Sequence, residues 1–406
     1  MNILYFASTA FYRKPNPSFH LMTSMIEDLL SAGHDIYYVG VHDSDASKQI
    51  PDNLENNCHF HSRLVALPKA EKNHFVMRYL RGILYPIKAY SALRAYMKTS
   101  DVCFVQSSAT ILYNTLLARH LSKGKNVIIN IQDMFPGSSI ASGVMPHKWM
   151  QKIFFNLQKI AYRKADVIVG ISSDMKRRLI EQGVPEDKIK VILNWFDDNS
   201  VREVVREENR FVQKYKMSEQ QFCVQYAGTF GYVFDYRIVL QVAELLKNKK
   251  DIIFQMIGAG SQKDAFIQAA KDKELDNIQF LPLEPQNMVS DVYSACDVCF
   301  IPLKRGVIGN SVPSKAGLLM QCKRAIITSV DIDSDYAKEI NEQKIGIACS
   351  DESPEAIVDA IMRLYNDRVE CKAMGQRGYE YGHELYSRSY NMKKYIELFQ
   401  NSIVEK

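Results

Sequence analysis

The sequence predicts an α/β protein made of two parallel, doubly wound sheets. Short apolar runs of strand length alternate with helical runs almost from the first residue, the pattern of a parallel sheet wound by crossover helices. The alternation stops near residue 197, crosses a charge-dense stretch and then restarts. The chain has 406 residues, and at ~100–200 residues per domain that length calls for two domains. Hydrophobic content of 47% with 24% charged residues gives each half enough apolar surface for its own core.

The elements follow in order. Ile3 to Ala7 is the first strand, Ser18 to Ala32 an amphipathic helix closed by Gly33, and Asp35 to Val39 the second strand. Val102 to Val105 and Asn126 to Ile131 are apolar strands flanking a helix around Ile111 to Leu121. Asp166 to Ile171 is another strand, followed by a helix from Ser173 to Gln182 and a short strand, Ile189 to Ile192. Val201 to Met217 is dense in charge without a strong apolar face and reads as a linker and solvated helix. The second half repeats the scheme with strands at Cys223 to Ala227, Ile252 to Ile257, Ile278 to Leu281, Asp297 to Leu303 and Arg324 to Thr328. Helices are expected at Tyr236 to Leu246, Met288 to Ala295, Ala316 to Gln321, Pro354 to Tyr365 and Glu384 to Val404.

Composition excludes several classes. A net charge of +5 is too weak to argue for nucleic acid. No apolar run approaches the ~20 residues that span a bilayer, and no basic n-region precedes the first strand, so neither a membrane span nor a signal peptide is expected. The cysteines sit mostly in apolar runs, as reduced core thiols do, which points to the cytoplasm. Cys296 and Cys299 have CxxC spacing but no second pair or His nearby, so a metal or redox role is not expected.

Ligands of open α/β sheets bind at the carboxyl ends of the strands, and that is where the unusual residues lie. The turn Gly309-Asn310-Ser311-Val312-Pro313-Ser314-Lys315 joins an apolar strand to a helix. Its chemistry fits either an N-capping turn or an anion cradle, with free backbone N–H groups, a helix dipole and the charge of Lys315. Gly228 and Gly231 follow a strand, where they serve either turn geometry or close approach of a ligand. Asp133 follows the strand ending at Ile131 and suits either an Asx turn before Pro136 or the orientation and deprotonation of a hydroxyl. His20 opens the first long helix and suits either a ligand contact or a plain surface role. No DxD pair stands in a suitable position; Asp331, Asp333 and Asp335 read as a polar loop, so no metal is expected. Basic residues interleave with aromatic and aliphatic ones from Arg63 to Lys98 and from Lys148 to Lys164. Such helices either pack as core or lie in an anionic membrane interface.

Several motifs stand in a known order. Ala165-Asp166-Val167-Ile168-Val169-Gly170-Ile171-Ser172, followed by Gly183-Val184-Pro185 through Ile192-Leu193-Asn194, resembles the end of the N-terminal domain of family 4 glycosyltransferases. Tyr226-Ala227-Gly228-Thr229, Met256-Ile257-Gly258-Ala259-Gly260, Phe280-Leu281-Pro282-Leu283 and Tyr293-Ser294-Ala295-Cys296-Asp297-Val298 look like their donor-binding domain. The resemblance covers nearly the whole chain. It implies the GT-B fold, with an acceptor-binding domain over 1–197, a nucleotide-sugar domain over 198–383, and a last helix, 384–406, packed back on the first domain. It also implies nucleotide-side contacts from Gly228, Thr229, Gly231, Gly258, Gly260 and Leu281. Many family members carry two Glu separated by seven residues where this chain has Asn310 to Lys315, and no Glu occurs between Pro302 and Gln321. That variant looks like the subgroup building bacterial O-antigen, capsule and colanic-acid polysaccharides, which includes N-acetyl-fucosamine transferases. It implies that Ser311, Ser314 and Lys315 hold the donor phosphate and sugar, while Asn310 and Ser311 either touch the sugar or shape the turn that presents Ser314 and Lys315.

The expected function is therefore transfer of a sugar, an N-acetylated amino sugar, from UDP to a polyprenyl-diphosphate-linked acceptor. The enzyme is expected to need no metal or other cofactor, to retain anomeric configuration and to sit peripherally on the cytoplasmic face of the membrane. Lys315 would stabilise the leaving diphosphate, and Asp133 and His20 would serve the reacting sugars. The rival readings are a UDP-N-acetylhexosamine 2-epimerase of the same fold and a nucleotide-sugar-binding subunit without turnover.

Overall fold

Strand and helix alternate as the apolar runs require. The computed structural model describes residues 1–12, 19–44, 46–68, 75–106, 110–141, 143–196, 201–313, 315–350 and 353–404. It divides into two units: Met1–Pro136, His147–Asn194 and Arg388–Lys406 form the first, and Gly137–Pro146 with Trp195–Ser387 form the second.

The first unit contains β1 (Asn2–Phe6), α1 (Phe19–Ser31), β2 (Asp35–His42), α2 (Asp52–Glu55), β3 (Phe60–Ala66), α3 (Phe75–Thr99), β4 (Val102–Gln106), α4 (Ile111–Ser122) and β5 (Asn126–Ile131). Next along the chain come α5 (Gly137–Ala141), which groups with the second unit, then α6 (Lys148–Lys164), β6 (Val167–Gly170), α7 (Ser173–Glu181) and β7 (Ile189–Val191). Its seven strands are all parallel and run in the order β3-β2-β1-β4-β5-β6-β7. The central strands are buried on both faces, which explains their continuous apolar sequence.

The second unit contains α8 (Arg210–Tyr215), β8 (Phe222–Thr229), α9 (Tyr236–Leu245), β9 (Ile252–Ala259), α10 (Lys263–Asp272), β10 (Ile278–Leu281), α11 (Val289–Ser294) and β11 (Val298–Pro302). It continues with α12 (Ala316–Gln321), β12 (Ala325–Val330), α13 (Asp335–Glu342), β13 (Gly346–Ser350), α14 (Pro354–Asn366) and α15 (Arg368–Leu385). Six parallel strands follow the order β10-β9-β8-β11-β12-β13. In both sheets the order reverses beside the first strand of the unit, the switch point where such folds bind ligands.

The predicted terminal helix starts four residues later than its expected Glu384, and a helix the sequence did not signal, α15, ends just before it. After α15 the chain breaks at Tyr386 and Ser387 and resumes as α16 (Arg388–Val404). Tyr395 and Phe399 of α16 pack on Phe104 of β4, and Arg388 pairs with Glu27 and Asp28 of α1 at 2.8–2.9 Å. The charged stretch after residue 200 is less solvated than its composition suggests. Asn209 caps α8 through Phe211 and Val212 N–H, and Val201, Phe211 and Val212 join the core beside β11. Two apolar neighbours in a six-residue helix are too few to show a period.

α12 lies unusually close to α15. Cβ atoms at Gly317, Gly375 and Gly382 would come within 2.9 Å of Tyr386 Cβ, 2.1 Å of Lys323 O and 2.5 Å of Met320 Sδ. Glycine at these positions lets the two helices meet, and so fixes the helix that follows Lys315.

Candidate donor site at the strand ends of the second unit

The end of β8 and the turn after β11 meet at one lysine. Lys315 takes the N-cap position of α12 without capping it, and its side chain runs inward. Its Nζ lies 3.9 Å from the centre of the Tyr226 ring and is shielded from solvent, although part of the residue is exposed. Among the described residues the ammonium has no hydrogen-bond partner. Buried cations are normally paired, so an unpaired one at a strand's carboxyl end is a candidate anion contact. Burial pushes its pKa down to about 7, and the neighbouring Cys299 thiol offsets this slightly.

The glycines divide by task. A Cβ at Gly228 would lie 1.8 Å from Lys315 Nζ, so this glycine makes room for the ammonium. Gly258 and Gly260 make room for protein: a Cβ would meet Gly228 O at 2.0 Å or Phe230 O at 2.4 Å. They seat the β8 exit loop against β9. Gly231 has only the Thr229 methyl within reach, at 3.5 Å, and its carbonyl accepts a hydrogen bond from Gln262. Thr229 ends β8, exposed, with its carbonyl taking the Tyr226 hydroxyl at 2.9 Å. Leu281 ends β10 in register with Ile257, half-buried.

The turn after β11 is held from within. Gly306 and Gly309 have φ of +77° and +83°, which only glycine adopts freely. Asn310 is buried; its amide donates to Gly306 O at 2.8 Å, and its Oδ1 fills the space where Gly137 would carry a Cβ. Asn310 thus shapes the turn. Ser311 is half-buried and its N–H bonds Val307 O at 3.0 Å. Ser314 lies outside the described residues. Asp331, which the sequence placed in a plain polar loop, accepts from Gly306 N–H with both carboxylate oxygens, at 2.8 and 3.0 Å. Cys296 and Cys299 have sulfurs 3.4 Å apart, both buried, and among the described residues no group of three or more His, Cys, Asp or Glu is placed to hold a metal ion.

Two candidates belong to the first unit. Asp133 is exposed just past β5, and His20 is half-buried in the first turn of α1. Beside Asp133 runs a row of amides that the sequence alone did not single out. Asn194 donates to Gln132 (2.8 Å), Gln132 to Asn130 (3.3 Å) and Asn130 to Gln106 (3.3 Å), which also accepts from Tyr5 (3.2 Å). These residues lie at or just past strand ends, so polar groups gather where an apolar sheet gives out.

The basic aromatic helices divide between core and surface. Tyr85 is fully buried, donating to Ala7 O and Val39 O, and Tyr79 packs tilted against Phe135 and edge-on against Phe154. Met77, Leu80, Ile87 and Tyr90 of α3 and Trp149, Ile153 and Ile160 of α6 are exposed. Trp149 is 65% exposed in a helix with five lysines and arginines and no acid. Among the described residues no helix is long and apolar enough to cross a membrane.

Comparison with known proteins follows the same division. Residues 21–200 match the model of Glycosyltransferase Family 4, and residues 205–381 match that of Glycosyl transferases group 1. The chain is a glycosyltransferase of the family 4 type. It is 25% identical over 304 residues to a probable glycosyltransferase, WbjE, of Pseudomonas aeruginosa, spanning 73% of this chain and 75% of that one. It is 23% identical over 174 residues to the putative colanic acid biosynthesis glycosyl transferase WcaI of Escherichia coli, 42% of each chain. Anabaena HepE in complex with UDP superposes with a TM-score of 0.74 at 13% identity, covering 99% of this chain and all of that one. The transferase has the GT-B fold, as its two parallel-sheet units indicated.

Proposed function

We propose that this glycosyltransferase moves an N-acetylated amino sugar from UDP to an acceptor carried on a polyprenyl diphosphate, in synthesis of a bacterial surface polysaccharide. The observation that carries the donor half is the buried Lys315 ammonium at the strand ends of the second unit, without a hydrogen-bond partner among the described residues. In transfer the bond from the sugar's anomeric carbon to the β-phosphate oxygen breaks, and its electron pair stays on the leaving diphosphate. A cation fixed in a dry site stabilises that charge at no reorganisation cost; losing one such donor costs about 10²–10³ in rate in other enzymes. Lys315 supplies the cation here, with the Gly228–Gly231 backbone beside it, and no metal is required. The anomeric configuration is retained.

Asp133 orients the acceptor hydroxyl and takes its proton, and His20 contacts the reacting sugars. The surface-polysaccharide setting draws on the resemblance to WbjE and to the colanic acid transferase WcaI. Exposed Trp149, Ile153 and Ile160, set among Lys148, Lys152, Arg163 and Lys164, suit an anionic bilayer that presents the lipid-linked acceptor. The test is calorimetric titration with UDP, then release of UDP from UDP-N-acetylhexosamines with a polyprenyl-diphosphate saccharide in liposomes. Binding followed by acceptor-dependent release supports the proposal. Conversion of the donor to its 2-epimer without acceptor overturns it.

A further inference from the structure

We infer that Tyr226 is a positioning residue for Lys315: its ring face holds the ammonium, dehydrated and in place, at the point where the donor's diphosphate arrives. The inference rests on reading these loops as the donor site.

Three observations carry it. The Nζ stands 3.9 Å from the ring centre, well inside cation–π range, and no other partner replaces that contact among the described residues. The phenol turns away from the lysine and donates to Thr229 O at 2.9 Å, so the ring, not the oxygen, meets the charge. The ring is also closely packed, its centre 4.5 Å from that of Phe234 and 5.8 Å from that of Phe230, with Tyr226 buried. On its other side the ammonium is bounded by Gly228, where any side chain would collide with it. The lysine is confined between a ring face and a bare backbone.

The choice of a ring over a carboxylate has a chemical consequence. A carboxylate would hold the ammonium more strongly but would repel the incoming diphosphate and compete for the same protons. A ring face attracts the cation without carrying a charge, leaving the N–H groups free for phosphate oxygens. Among the described residues Lys315 meets the Tyr226 ring from β8 and the Cys299 thiol from β11, and no carboxylate contributes. On α15, which packs against α12, His383 is engaged with Gln321, and just past its end Tyr386 lies against Gly317.

The experiment is a double-mutant cycle on the full chain, read by UDP titration between about pH 6 and 9. Tyr226→Phe keeps the ring and is expected to match the wild type in affinity and pH profile. Tyr226→Leu removes the ring face and is expected to weaken UDP about five- to thirtyfold and to shift the pH at which affinity falls. In a Lys315→Met background, Tyr226→Leu is expected to cost nothing further, because its effect runs through the ammonium. Equal loss from Tyr226→Leu in both backgrounds, or equal loss from Phe and Leu, overturns the inference. If Lys315→Met weakens UDP and Tyr226→Leu does not, the Tyr226 inference alone falls. If the wild type binds neither UDP nor inorganic pyrophosphate, the donor-site reading falls and takes the inference with it.

Discussion

Replacing Lys315 with Met separates a binding lysine from a structural one. The side chain keeps nearly its length and apolar stem and loses only the charge. Among the described residues that charge has no hydrogen-bond partner, and it lies shielded against the Tyr226 ring. A buried polar group without a partner costs about 1–3 kcal/mol, and the ring contact returns about 0.5–2 kcal/mol. The balance runs from about 1 kcal/mol against Lys315→Met to about 2.5 kcal/mol in its favour. At roughly 2–4 °C per kcal/mol for a unit of this size, the variant melts between about 4 °C below and about 10 °C above the wild type. UDP binding moves the other way. A hydrogen bond to a charged group contributes about 1.5–3 kcal/mol, so affinity falls about 10- to 150-fold. Thermal unfolding with and without a UDP series reads both, since ligand stabilisation follows RT ln(1 + [L]/Kd). A variant that melts well below the wild type and binds UDP as tightly would show that Lys315 serves the fold and refute the reasoning.

Other outcomes follow from the same geometry. Because burial lowers the Lys315 pKa to about 7, the unfolded chain binds more protons above that pH, so unliganded stability rises between about pH 7 and 10.5. UDP affinity runs oppositely: the terminal phosphate loses its second proton near pH ~6 and Lys315 loses its charge near 7. Affinity should therefore peak between about pH 6 and 7 and fall up to tenfold per unit above, a fall that Lys315→Met abolishes. Gly258→Ala drives a Cβ to 2.0 Å from Gly228 O and should cost about 1–3 kcal/mol or more, seen as a lower melting temperature for the second unit. Changing Lys148, Lys152 and Lys164 to Glu should weaken sedimentation with anionic vesicles at least a hundredfold, at about 1 kcal/mol per charge, and leave UDP affinity in solution unchanged. Vesicle binding that survives the triple change would rule out α6 as the docking face.

Much of the fold was legible because parallel strands buried on both faces spell themselves out, as in β4, β5 and β11. What escaped lacked that signature. β3 is an edge strand whose middle residues, His61, Ser62 and Arg63, are not buried, so it merges into the charged stretch before α3. α15 hides behind Gly375, Gly378 and Gly382, glycines that suggest loops in a sequence and here serve the contact with α12. At the site, Lys315 and Gly228 were visible as residues of the right type at strand ends, but not as neighbours. Tyr226 looked like one more aromatic in a buried strand; its task depends on a lysine from another loop. Gly258 and Gly260 suggested ligand approach because nothing local distinguishes a ligand from a second stretch of backbone.

The central claim is acceptor-dependent sugar transfer from a nucleotide diphosphate at the strand ends of the second unit. Measuring UDP release from UDP-N-acetylhexosamines by wild-type and Lys315→Met protein, with and without a liposomal polyprenyl-diphosphate saccharide, tests it most directly. The account predicts release that requires the acceptor and falls about a hundredfold or more in the variant. Release that ignores the acceptor, or that the variant sustains at the wild-type rate, would contradict it.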